Sequence, residues 1–310
     1  MRLRPQIGLA MIAVSAAACS PELGVAIGDA SPIALECPEA AAPGAGPGDA
    51  GAPAEGSVVI ISVDGLRADA VTAAPADALI DFACRGSYSL AARTILPPLT
   101  LPAHASMVSG YEPEQHGLLH DTMKEDTYIE VPTVFGLAEE AGLDTVIVVG
   151  KEKLVQLAPP GSYDEFHWVA GGDAAVVDAA IAAAAGGFDV LFVHLPSVDW
   201  VGHSSGWMSD DYLAQVRAAD TEVARLVDEL PAGTTVIVTA DHGGHDSTHG
   251  DDVATDTMIP WIIEGPGVRV RHEIAAPVSV MDTAATAAFV AGFSLESDAI
   301  GRPVEEAFGE

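Results

Sequence analysis

Basic side chains are scarce in this chain: thirteen Lys and Arg stand against forty-five Asp and Glu, a formal net charge of -32. A surface field of that sign repels polyanions and argues against nucleic-acid polymers as partners, although a local cationic site can override it. Aromatic residues make up only 5% of the chain, and no cluster of them offers a stacking clamp for a nucleobase. Cysteines number three, too few for the closed cysteine-rich shells that structural zinc favours. Cys37 and Cys84 can pair in an oxidising compartment, while the apolar setting of Cys84 in "LIDFACRG" suits a buried thiol equally well. Beyond the N-terminus no apolar run is long enough to cross a bilayer.

What is present begins with "MRLRPQIGLAMIAVSAAACSPE". Two arginines precede a twelve-residue apolar stretch, Ile7 to Ala18, which is too short to span a membrane and has the layout of an export signal. The small residues before Cys19 resemble a bacterial lipoprotein processing site, with Ala16 where leucine is usual; ordinary signal cleavage is the competing reading. Residues 1–19 are therefore read as an export signal with lipidation at Cys19, for a protein of the bacterial periplasm or outer surface that meets a membrane only through that lipid anchor. Residues 20–56, with "AAAPGAGPGDAGAPAEG", are read as an Ala/Pro/Gly-rich linker. Residues 57–310 remain for one large domain with a substantial core.

From Ser57 on, short β-branched runs alternate with longer Ala/Leu-rich amphipathic segments, the pattern of an α/β fold around a largely parallel sheet. The strand candidates are "SVVIISV", "SYSLAART", "DTVIVVG", "FDVLFVHL", "TTVIVTA" and "MIPWIIEG". Helices are expected over Ala70 to Arg85, Leu101 to Ser109, Val134 to Ala141, Asp173 to Ala185, Asp210 to Leu230 and Met281 to Gly292. Three of the apolar runs deliver an aspartate near their carboxyl ends: Asp64, Asp199 and Asp241. In open α/β sheets ligands gather along that edge, so residues distant in sequence can converge there. A single such aspartate is commonly a cap or turn former.

The stretch "TADHGGHDSTHG", Thr239 to Gly250, adds three histidines. Its glycines argue for a loop over a helix, and imidazole with carboxylate on a loop is what a borderline metal such as zinc selects. In "SVDWVGHSSG", Asp199 and His203 stand four apart, with Gly202 read as permitting a local bend. Two ligand sets follow: Asp64, Asp241 and His242 for one ion, and Asp199, His203 and His249 for a second. Two divalent ions about 4 Å apart clamp the attacking and leaving oxygens of an in-line displacement at phosphorus. Thr100, in "RTILPPLTLPAHASM", is the candidate nucleophile at a helix start, where free backbone N–H groups are expected to meet phosphoryl oxygens. Its plainer role is that of a helix cap.

The ordered set "VDGLR", "TLPAH", "GYEPEQHG", "DWVGH", "ADHGG" and "THG" resembles the alkaline phosphatase superfamily, in particular its type I phosphodiesterase/nucleotide pyrophosphatase branch. The resemblance runs from about Val58 to Phe289. It implies a three-layer α/β/α sandwich, two Zn2+ ions with other divalent ions as alternatives, and Thr100 as both nucleophile and metal ligand. Asp64, Asp241 and His242 complete the first site, and Asp199, His203 and His249 form the second. The activity implied is phosphoric-ester hydrolysis through a phosphothreonine, on a small-molecule or lipid-linked ester. His104 and His116 match positions that read as structural, and His245 and His120 carry no assigned role.

Departures from the family bear on the substrate. Many relatives place an asparagine shortly after the "HG" motif, where its amide contacts a phosphoryl oxygen; here Asp121 stands there, either turned away, protonated, or contacting something else such as a cationic leaving group. Lys151 and Lys153 resemble the basic pair with which monoester-hydrolysing members hold a terminal phosphate, against a solvated helix start as the plain reading. His249 follows the "DHG" motif within eight residues, a spacing similar to glycolipid ethanolamine-phosphate transferases. Monoesterase and diesterase readings thus stay open beside head-group phosphotransfer. Further alternatives are a sulfatase, a serine hydrolase built on Ser106 without its Gly-x-Ser-x-Gly elbow, and a non-catalytic zinc-binding surface lipoprotein.

Overall fold

Six runs become strands where the sequence places them: β1 (Val58–Val63), β2 (Ser87–Arg93), β3 (Thr145–Val149), β5 (Val190–Leu195), β6 (Thr235–Thr239) and β7 (Met258–Glu264). Five are rich in β-branched residues and largely buried, whereas β2 has none and leaves Ala91 and Arg93 exposed. Two short edge strands, β4 (Glu165–Trp168) and β8 (His272–Glu273), carry too little apolar pattern to be read from sequence. The computed structural model describes residues 35, 37 and 56–309, which belong to one compact unit, Pro32–Glu310. The expected signal over 1–19, Cys19 and nearly all of the linker over 20–56 lie outside the described residues. Cys37 and Cys84 are joined in a disulfide.

The eight strands form one sheet in the order β4-β3-β5-β1-β6-β7-β2-β8. All pairings are parallel except those of β7, which runs antiparallel to both β6 and β2. The central strands β1, β3, β5 and β6 are buried along their whole length. They read as continuous apolar runs because both faces are covered.

Among the described residues ten α-helices accompany the sheet: α1 (Ala70–Ala73), α2 (Asp77–Arg85), α3 (Thr100–Ser109), α4 (Pro113–His116), α5 (Val134–Ala141), α6 (Asp173–Ala184), α7 (Ser197–Ser205), α8 (Asp210–Glu229), α9 (Ala254–Thr257) and α10 (Asp282–Ala291). Helices α3, α5 and α10 pack on one another in one layer, while α1, α2, α6, α7 and α8 share contacts in the other. The result is the expected α/β/α sandwich with a largely parallel central sheet.

The single helix expected over Ala70 to Arg85 is two. Pro75 has no N–H to donate and disfavours helical geometry at Ala74, so the chain breaks before α2. The new helix start is satisfied from a distance: Asp220 of α8 accepts the N–H groups of Ala78 (3.1 Å) and Leu79 (2.7 Å).

Candidate active site

Strands β5, β1 and β6 lie side by side, with Val63 opposite Leu195 and Ser62 opposite Thr239. Asp64, the entry to α7 and Asp241 therefore leave the sheet along one edge. The approach is tight. A Cβ on Gly65 would lie 2.9 Å from the Asp199 Cα, and φ at Gly65 is +75°, so only glycine fits between the β1 exit and α7. The residues Asp199 and His203 sit one turn apart on α7, not on a glycine-permitted bend; i and i+4 share a helix face. Gly202 serves a different purpose, leaving room for the Trp207 ring, 2.6 Å from where a Cβ would stand. The segment from Ala240 to Asp252 is a loop, as its glycines require.

Each of the three carboxylates has one oxygen anchored and the other free. Asp241 Oδ1 accepts the backbone N–H groups of Gly65 and His242, each at 3.0 Å. Asp64 Oδ2 is held by His194 Nε2 (2.8 Å) and Lys151 Nζ (2.7 Å), and Asp199 Oδ2 by the same ammonium at 2.6 Å. The partner oxygens Asp64 Oδ1, Asp199 Oδ1 and Asp241 Oδ2 are buried with no hydrogen-bond donor among the described residues.

The three histidines show the same division. His242 Nδ1 bonds the Gly243 carbonyl (2.7 Å), His249 Nδ1 that of Pro98 (2.9 Å), and His203 Nδ1 that of Ser247 (3.0 Å). A carbonyl only accepts, so each Nδ1 carries a proton, and in a neutral ring Nε2 then presents a lone pair. Those Nε2 atoms face the free oxygens: His242 to Asp241 Oδ2 at 3.2 Å, His203 and His249 to Asp199 Oδ1 at 3.4 Å and 3.7 Å. Burial holds the His242 imidazole below its ordinary range, and burial with the neighbouring His242 takes His249 down to about 4. Neutral rings at His242 and His249 cannot bridge lone pair to lone pair.

Six acceptors thus converge in two groups, Asp64 with Asp241 and His242, and Asp199 with His203 and His249, the ligand atoms of each group lying within 4.8 Å of one another. Cations would satisfy such an arrangement, and oxygen with imidazole nitrogen suits zinc or a similar divalent ion. The residues therefore fit two metals. Thr100 is buried at the first group, its Oγ1 3.3 Å from His242 Nε2.

Electrostatics point the same way. Burial alone would drive the Asp64 carboxyl upward, but the Lys151 ammonium and the His194 bond outweigh it and hold Asp64 well below the usual carboxylate range. Burial and the charge of Asp64 push Asp241 well above that range. Lys151 is raised by Asp64, Asp199 and Asp241 against the opposing effect of burial. One lysine cannot neutralise three buried carboxylates.

The expected substrate groups stand as follows. Lys151 lies on the Asp64 and Asp199 carboxylates, and Lys153 on Asp121 at 2.7 Å. Asp121 also accepts the Leu101 N–H at 2.8 Å, and Pro102 has none to offer. The expectation that the α3 start presents free N–H groups to a phosphoryl oxygen is corrected at Leu101, because a side chain has already taken that donor. His104 is wholly buried, bonding Ser62 Oγ (2.8 Å) and the Thr100 carbonyl (2.7 Å). His116 bonds Ser106 (3.2 Å), and His245 bonds Asp256 (2.7 Å), which also secures the Gly250 and Asp251 N–H groups of the loop. The ring nitrogens of His120 have no partner among the described residues.

Two functional side chains escaped the sequence reading. His194 sits inside the apolar run of β5, where a lone histidine reads as core; its neighbour relation to Asp64 exists only through the β1–β5 register. Its Nδ1 accepts the Gly150 N–H (3.2 Å), so its Nε2–H donates to Asp64. Trp207 donates to the Gly65 carbonyl (2.9 Å) and packs edge-on against His203. We expect His194→Phe to weaken cation binding by about 10- to 100-fold, the usual cost of losing a partner that orients a ligand. Competition with a chelating dye measures this; unchanged affinity beside a lowered melting temperature would leave His194 a packing residue only.

The sequence model of the family described as type I phosphodiesterase / nucleotide pyrophosphatase matches residues 58–274. GPI ethanolamine phosphate transferase 1 of Aspergillus oryzae is 34% identical over 93 residues, 27% of this chain and 9% of that protein. The protein of the same name from Emericella nidulans is 27% identical over 146 residues, 38% of this chain and 16% of its own length. The chain thus spans less than a fifth of these relatives. Among solved structures, murine ectonucleotide pyrophosphatase / phosphodiesterase 5 superposes with a TM-score of 0.68 at 13% identity, over 77% of this chain and 96% of that one. A putative sulfatase from Bacteroides thetaiotaomicron gives 0.63 at 17% identity, over 82% and 75%.

Proposed function

Since the chain belongs to the type I phosphodiesterase / nucleotide pyrophosphatase family, we propose that it is a two-metal phosphoric-ester hydrolase whose nucleophile is Thr100. The observation that carries this reading is the set of three donorless carboxylate oxygens facing three imidazole lone pairs, with the Thr100 hydroxyl at their edge. Asp64, Asp241 and His242, with Thr100, would hold one cation and Asp199, His203 and His249 the other. When bound, such cations supply Lewis acidity, lowering the cost of a Thr100 alkoxide and of charge on the phosphoryl and leaving oxygens.

The chain's own residues do the rest. Thr100 gives up its hydroxyl proton and its Oγ1 forms a bond to phosphorus as the bond to the leaving oxygen breaks; the leaving oxygen takes up a proton from solvent, and a phosphothreonine results. Burial of Thr100 keeps bulk water from competing at that step. His194 and Lys151 keep Asp64 and Asp199 oriented, and the Gly65 and His242 amides do the same for Asp241. A water then attacks the phosphothreonine, releasing product and restoring the hydroxyl. On this reading the protein is exported and held at a membrane by a lipid on Cys19; the Cys37–Cys84 disulfide is in keeping with an oxidising compartment.

A second reading keeps the same intermediate and replaces water by an alcohol, making the protein a head-group phosphotransferase. It is favoured by the names of the curated relatives, which are ethanolamine phosphate transferases. One assay separates these outcomes. Zinc-supplied protein is given an aryl phosphate diester and an aryl phosphate monoester, with and without a primary alcohol. We expect aryl alcohol release with water as acceptor. Product carried mainly on the added alcohol would establish the transferase, and release of neither aryl group would overturn both.

A further inference from the structure

Asp121 Oδ1 lies between two donors, the Leu101 N–H at 2.8 Å and the Lys153 ammonium at 2.7 Å. Leu101 directly follows Thr100 at the start of α3. A backbone N–H beside the nucleophile and an ammonium aimed at the same point are what a charged phosphoryl oxygen would use. In this chain a carboxylate oxygen already occupies that point.

The arrangement is held from beneath. Buried Gln156 donates to the Thr122 carbonyl (3.2 Å) and the Lys153 carbonyl (3.1 Å), tying the Asp121 segment to the turn that carries Lys153. Other cations nearby are committed. Lys151 is bound to Asp64 and Asp199, and Arg67 to Asp69 at 2.6 Å. Lys124, three residues beyond Asp121, is exposed.

We propose that Asp121 is a specificity-determining residue that fills an anion seat beside Thr100 with its own carboxylate, so that the site takes singly charged phosphodiesters in preference to doubly charged terminal phosphates. The inference rests on the phosphoesterase reading above and deepens it. A diester places one negative charge on its two non-bridging oxygens. A terminal phosphate carries a further charge that needs a further cation, and the one aimed at this point, Lys153, is neutralised by Asp121. A carboxylate there also repels a third charged oxygen. The lysine pair that resembles a monoester signature is therefore disarmed: one member serves the metal-site carboxylates and the other serves Asp121.

The test uses the full chain loaded with zinc, and the variants D121N, D121N/K153A and D121N/K124A. Asparagine keeps the acceptor for the Leu101 N–H and removes the charge. The monoester-to-diester ratio of kcat/KM should rise about tenfold in D121N, and inorganic phosphate should bind several-fold more tightly by titration calorimetry. Adding K153A should cancel both gains, whereas adding K124A should leave them. A ratio within twofold of wild type together with unaltered phosphate binding overturns the inference, as does survival of the gains in D121N/K153A. Wild-type protein that turns over neither ester overturns the phosphoesterase reading instead, and phosphate binding then decides the seat alone.

Discussion

Thr100→Ala is expected to lower turnover of phosphate esters by at least about a thousandfold, the loss typical when an attacking group is removed and only binding and electrostatic assistance remain. Cation binding should survive. Asp64, Asp241 and His242 keep their anchors without the threonine, because those anchors come from Gly65, His194, Lys151 and the Gly243 carbonyl. Thr100 contributes one hydroxyl to this group, and its backbone carbonyl still receives His104 Nδ1 in the variant. The measurement is steady-state turnover beside metal content per chain. Loss of both together would place Thr100 among the metal's essential supports, and normal turnover with metal retained would remove it from the chemistry. Thr100→Ser is the informative companion: it keeps the hydroxyl and should retain a measurable fraction of the rate.

Stripping the protein of divalent ions is expected to abolish turnover reversibly and to lower the melting temperature by about 10 °C. A ligand that binds only the folded state adds about 4 kcal/mol when present at a thousand times its dissociation constant, and each kcal/mol moves a domain of this size by about 2–4 °C. The sign follows from the buried charges. In the folded chain Asp64, Asp199 and Asp241 are crowded around one lysine, and burial with the charge of Asp64 drives Asp241 above its ordinary range. A cation relieves that cost and the unfolded chain gains no equivalent. Melting curves with a chelator, then with zinc restored, read the effect. Asp241→Asn should shrink the zinc-dependent shift to about half by weakening one of the two groups. A chelator-insensitive enzyme would point back to a serine hydrolase, for which Ser106 stands buried against His116.

The candidate site was legible in the sequence to an unusual depth, and for a physical reason. Strands buried on both faces are apolar throughout, so a polar residue at their carboxyl ends stands out, and Asp64 and Asp241 do. The loop after β6 declares itself by glycines that no helix tolerates. By contrast the spacing of Asp199 and His203 suggests a bend at Gly202, whereas it is a helical turn whose glycine clears space for Trp207. His194 was invisible, since nothing in an apolar run marks which histidine will meet a carboxylate on the next strand.

Asp121 illustrates the deeper limit. Its sequence position raised a question of charge that composition, motif and spacing could not answer, because the answer lies in Lys153, thirty-two residues away, and in the Leu101 amide twenty residues before it. The chain by itself determined the alternating α/β layout, the strand ends that carry the candidate ligands, and the residue types able to hold two cations, because burial and backbone conformation are written in local pattern. The tertiary structure alone decided which oxygen of each carboxylate is anchored and which is free, which imidazole nitrogen faces inward, and which lysine is already spent. Those are relations between side chains on different elements, set by strand register and helix placement.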